Sequence, residues 1–169
     1  VIANAGGINP RACAAALEAT LARLGVDLKV AWIEGDDLMP ALAAWKDAGL
    51  TEMFTGAPLP EKPVSMNAYL GGFPVAAALA KGADVVITGR CVDSAVTLGA
   101  CIHEFGWTPK DYDRLAGGSL AGHIVECGAQ ACGGVFTDWQ DVPDWDRIGY
   151  AIAEISPDGS FVATKPEGT

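Results

Sequence analysis

Three consecutive β-branched residues, Val85-Val86-Ile87, framed by Gly82 and Gly89, restrict the fold more than any other stretch. Side chains alternate between the two faces of a strand, so an unbroken apolar run needs cover on both faces, as an interior strand of a parallel sheet has. The flanking patterns supply that cover. A helical run through Leu79 follows Gly71, Gly72 and Pro74, and a second spans Ser94 to Phe105. Upstream, Val1 to Ala5 is followed by the turn residues Gly6, Gly7, Ile8 and Asn9. An alanine-rich helix then carries Leu17, Leu21 and Leu24 at helical spacing, with Pro10 suited to its first turn and Gly25 to its stop. Leu28 to Ile33 reads as another short strand, and Asp36 or Asp37 as the cap of a helix through Ala48 that Gly49 ends.

The expected fold class is therefore α/β, a mostly parallel sheet flanked by helices, with Val85 to Ile87 in its central strand. A C-terminal β-hairpin joins it, because Ile148 to Lys165 alternates around Pro157, Asp158 and Gly159. Pro58, Pro60 and Pro63 make Thr51 to Pro63 a loop. Asp111 to Gly133 reads as a glycine-broken helix offering Leu115, Leu120, Ile124 and Val125 for burial. At 169 residues one domain over 1–169 is expected. The first residues read as the tail of a strand without an initiator Met, so the chain is expected to be a fragment of a longer protein, truncated at both ends.

Eleven basic against 21 acidic side chains give a net charge of -10, which repels polyanions and argues against nucleic acid as a partner. Apolar stretches are interrupted well before the roughly 20 residues a membrane span needs, and no secretory leader is visible. Five cysteines form an odd set without paired C-x-x-C spacing, so reduced thiols in the cytoplasm are expected, with Cys13, Cys91 and Cys101 as small core side chains.

Chemistry is expected where strands feed helices. Gly6, Gly7 and Asn9 could turn backbone N–H groups toward an anion, although a complete G-x-G-x-x-G is missing and the glycines could serve the turn alone. Gly89, Arg90, Asp93 and Ser94 lie just past the buried strand, where open α/β sheets bind ligands. Arg90 could hold a carboxylate or phosphate, and Asp93 could act as a base; alternatively Asp93 caps the next helix and pairs with Arg90. His123, Glu126 and Cys127 share one helical face, which permits general acid–base work or a structural hydrogen bond. Their spacing matches no established zinc motif, so no metal is assigned from it. Trp107, Trp139 and Trp145, with Tyr112 and Phe136, could line an apolar pocket or serve as hydrophobic anchors.

Several longer blocks carry a resemblance. Asn67 to Gly72, Gly82 to Arg90, Val92 to Ala95, Gly118 to Gln130, Phe136 to Trp139 and Thr164 to Thr169 resemble the acyclic terpene utilisation (AtuA-like) family. That resemblance implies a place in bacterial catabolism of citronellol- or geraniol-like terpenes, whose intermediates travel as coenzyme A thioesters. It assigns no reaction. The resulting expectation is an enzyme acting on a branched acyl-CoA, of the lyase or hydratase type. Asp93, His123 and Glu126 would be catalytic, and Gly6, Gly7, Asn9, Asn67, Gly89, Arg90 and Ser94 would bind substrate. The cofactor is left unknown, with a coenzyme A thioester entering as substrate. The alternative is a non-catalytic binding or assembly module, and a homo-oligomer is expected in either case.

The cysteine pattern makes a direct prediction. All five thiols should react with a thiol reagent in the denatured chain without prior reduction, and a count below five would reveal a disulfide.

Overall fold

The computed structural model describes residues 1–169. In chain order its elements are β1 (Ile2–Ala3), α1 (Pro10–Leu24), β2 (Val30–Ile33), α2 (Leu42–Asp47), α3 (Gly72–Ala80), β3 (Val85–Thr88), α4 (Ala95–Phe105), α5 (Tyr112–Glu126), β4 (Ile152–Ile155) and β5 (Phe161–Thr164). Strand β3 lies in the middle of a three-stranded sheet of order β1-β3-β2, parallel to both neighbours. Val86, Ile87 and Thr88 are all buried although successive residues face opposite ways, so both faces are covered; α1 and α3 both pack on this strand. The second sheet is the antiparallel hairpin β4-β5, with Ile155 opposite Phe161 across the Pro157–Gly159 turn. No helix is long and apolar enough to cross a membrane.

Helix α1 has the ends its sequence suggests. Asn9 caps it by accepting a 2.9 Å hydrogen bond from the Ala12 N–H, Pro10 opens it, and Gly25 closes it with φ 66°. The stretch after β2 differs from the expected capped helix. Asp37 Oδ1 accepts from the Met39 N–H in a local turn, a 3₁₀ turn runs over Met39–Ala41, and only Leu42–Asp47 is α-helical. Asp36 does not cap it at all, because its carboxylate is engaged elsewhere.

Helix α5 also departs from expectation, since it runs unbroken through Gly117, Gly118 and Gly122. These glycines are packing notches. A Cβ at Gly118 would lie 2.7 Å from the Trp107 ring, and one at Gly122 would lie 2.8 Å from the Ser94 carbonyl oxygen. Leu120, expected inside, is 56% exposed. Trp107 is buried, packs against Phe105 with ring centroids 5.3 Å apart, and donates its indole N–H to the Pro157 carbonyl at 2.9 Å. It thereby pins the hairpin turn to the helices. The core around it comprises Ala76, Cys101 and Ile102, with Leu98, Leu115 and Ile155 at its margin.

Helices α3 and α4 approach closely because glycines face each other. A side chain at Gly72 would meet the Gly99 N–H and Leu98, and one at Gly99 would collide with Val75. Gly99→Ala should therefore destabilise the fold by about 1–3 kcal/mol, as overpacking does. Urea denaturation would measure this, and an unchanged midpoint would show that the helices can separate freely.

Candidate functional site

Four chain segments converge at the carboxyl end of the parallel sheet, and one buried carboxylate joins three of them. Asp36 is 4% exposed. Its Oδ2 accepts from the Arg90 backbone N–H at 2.8 Å and from the Asn67 side-chain amide at 3.0 Å. Gly89 is required beside it, because a Cβ there would overlap the Asp36 carboxylate. The segment carrying Asn67 is stitched in by backbone bonds on both sides. The Ala68 N–H donates to Asp36 O at 2.8 Å, the Leu70 N–H to Arg90 O at 3.1 Å, and the Val92 N–H to Leu70 O at 2.9 Å. The fourth segment follows β1, and its Gly6 N–H donates to Thr88 O at 3.1 Å.

Three of the segments, all but that of Asp36, border an open cavity of about 490 Å³ lined by Gly7, Ile8, Ser65, Asn67, Tyr69 and Arg90. Arg90 is its one cationic side chain. The guanidinium donates to the Tyr69 hydroxyl at 2.9 Å and lies 5.1 Å from the centre of that ring. The hydrogen bond to Tyr69 raises the Arg90 pKa above its ordinary value, and Asp93 adds to the effect. A guanidinium oriented on one side by an aromatic ring keeps its remaining N–H groups for a carboxylate or phosphate.

Of the residues expected to bind substrate, Gly7, Asn67 and Arg90 line this cavity, and Gly89 stands behind it against Asp36. Gly6 is buried, and its missing side chain lets the turn approach Pro10 and Thr88. Asn9 uses its side-chain oxygen as the α1 cap. Ser94 is buried beneath Gly122 of α5 and makes no capping hydrogen bond with its side chain. Asp93 is exposed and does not form the expected pair with Arg90, whose partner is Tyr69.

His123 and Glu126 lie outside the cavity. Both are exposed, so neither is a strut in an apolar core. The Gly122 contact with Ser94 nevertheless sets this turn of α5 beside Asp93, which also acts on Cys127. The Cys127 thiol is pushed above its ordinary pKa, first by its hydrogen bond to Glu126 and in smaller part by Asp93. Trp107, Trp139 and Trp145 do not form a common pocket: Trp107 is core, while Trp139 and Trp145 pair near the surface with centroids 6.3 Å apart.

Ile8, Ser65 and Tyr69 are the lining residues that sequence reasoning missed. For the last two the available signal was period two: in an extended segment, residues 65, 67 and 69 point the same way.

The profile of the acyclic terpene utilisation family protein AtuA matches residues 1–169. The chain belongs to the acyclic terpene utilisation family. No curated protein and no solved structure shows significant similarity to it. Within this AtuA-family chain, the blocks Asn67 to Gly72 and Gly82 to Arg90 meet at Asp36 and contribute Asn67, Tyr69 and Arg90 to the cavity.

The Asp36 hub carries its own prediction. Asp36→Ala leaves the Arg90 N–H and the Asn67 amide without their acceptor and should cost about 1–3 kcal/mol, measured as a lowered midpoint of urea unfolding. Stability equal to that of the parent chain would mean that the three segments hold together without the carboxylate.

Proposed function

We propose that this AtuA-family chain forms the substrate site of an enzyme of acyclic terpene catabolism that acts on a branched acyl-CoA thioester. One observation carries the proposal: the cavity at the carboxyl edge of the parallel sheet, with Arg90 and Asn67 converging on it. Its volume falls within the range of about 300–1,000 Å³ usual for small-molecule sites. Its lining is mostly polar, which suits the anionic and carbonyl parts of such a substrate, and Ile8 at the rim offers an apolar side to the branched chain. A flat apolar patch here would have favoured an assembly module instead.

Arg90 binds an anionic group of the substrate, a carboxylate or a phosphate, and the Asn67 amide bonds a carbonyl oxygen. Asp93, exposed and three residues from Arg90, is the carboxylate we assign as proton acceptor. In a hydratase or lyase reaction it would remove the proton next to the thioester carbonyl and pass that proton to the hydroxyl on the following carbon, which departs as water and leaves a carbon–carbon double bond. His123 and Glu126 form a second polar station beyond Asp93. Large exposed side chains in the proline-rich loop, Met53, Phe54 and Val64, support self-association as part of the same proposal.

Calorimetric titration with citronellyl-CoA tests the binding step. Arg90→Ala should weaken binding by about 10- to 100-fold, the loss of one charge-assisted hydrogen-bonded contact of about 1.5–3 kcal/mol. Equal affinity in the parent and the variant, or no binding by the parent, would reject the assignment.

A further inference from the structure

We propose that the last turn of α5 is a binding site for one divalent transition-metal ion of the zinc class, held by His123, Glu126 and Cys127. The ligand atoms of these three side chains all lie within 4.8 Å of one another. Donors around a tetrahedral ion with bonds of 2.0–2.3 Å stand roughly 3.3–3.8 Å apart, so the set must draw in by about 1.5 Å at most to hold an ion. His123 and Glu126 are exposed and free to rotate, while Cys127 is half-buried and provides the fixed point.

The spacing has a geometric logic that motif matching misses. His123 and Cys127 are four residues apart, the separation that puts two ligands on one helical face in helix-borne zinc sites, and Glu126 is three residues from His123. The Cys127 thiol donates to Glu126 Oε1 at 3.0 Å, so a proton already bridges two of the three ligand atoms. A dication takes that place, binding the thiolate and the carboxylate and releasing the thiol proton to solvent.

The surroundings favour a cation. The negative end of the α5 dipole lies at this turn, and Asp93 adds a carboxylate from the neighbouring loop, which Gly122 holds close by packing on Ser94. One nitrogen, one oxygen and one sulfur donor select a zinc-class ion over calcium or magnesium, which take oxygen ligands. Three protein ligands leave a fourth position for water or substrate, next to the residue assigned as proton acceptor above. Metal binding itself does not depend on that functional reading.

The test is titration of the chelator-treated chain with cobalt(II) as a spectroscopic probe, followed by competition with zinc(II). One cobalt ion per chain should bind with a thiolate-to-cobalt charge-transfer band that zinc abolishes. Cys127→Ser should lose the band, and His123→Ala should weaken binding at least about tenfold. Cys132→Ser, a control for the other thiol nearby in sequence, should keep both band and affinity. Absence of the band in the parent chain, or its persistence in Cys127→Ser, would overturn the proposal. Activity is not needed for either result, so failure of the acyl-CoA reading and failure of the metal site are separately visible.

Discussion

The Asp36 carboxylate is the interaction on which the candidate site depends. Charge buried to 4% exposure is tolerable only when hydrogen bonds replace the lost water, and the Arg90 N–H and Asn67 amide do so. Because these donors belong to different parts of the chain, satisfying one carboxylate also sets the relative position of the β2 loop, the β3 loop and the extended segment between α2 and α3. Arg90 and Asn67 reach the cavity from backbone held in place by a group that does not line it. Gly89 belongs to the same arrangement, since the space a side chain would occupy there is filled by the Asp36 oxygens.

Glycine has a second structural use in the helical layer. Gly72 and Gly99 bring α3 and α4 to near backbone contact, Gly118 receives the Trp107 ring, and Gly122 seats α5 on Ser94. The last contact links packing to chemistry, because it brings the carboxyl end of α5, with His123, Glu126 and Cys127, alongside the loop that carries Arg90 and Asp93. Two polar centres that are far apart in sequence thus become neighbours through one missing side chain.

The parts of the fold visible in the sequence are those encoded locally. Val85-Val86-Ile87 specifies a two-sided strand by its own pattern, Pro10 and Gly25 mark the ends of α1, and the turn Pro157-Asp158-Gly159 specifies the hairpin. What escaped local reasoning depends on partners far along the chain. Asp36 resembles a helix cap because capping residues and buried hubs use the same carboxylate. The glycines of α5 resemble breaks because their intrinsic helix propensity is poor, and only the facing Trp107 and Ser94 explain them. In the candidate site, Arg90 was legible from its place just past a buried strand, and Asn67 from a block shared with the family. The guanidinium's partner, Tyr69, was not, since nothing local distinguishes a ring that orients a cation from one that merely covers a surface.

The order of strands has a consequence for how the chain is made. Strands β1 and β2 come first in sequence but never pair with each other; β3, which separates them, is synthesised after both. While the ribosome is still making α3, β1 and β2 therefore still lack the strand that each pairs with in the three-stranded sheet. Every ladder bond of that sheet awaits the arrival of Val85–Thr88, and parallel pairing over such sequence separations is slow. Assembly of this sheet thus waits on one short apolar segment, which must find a slot between two strands made earlier.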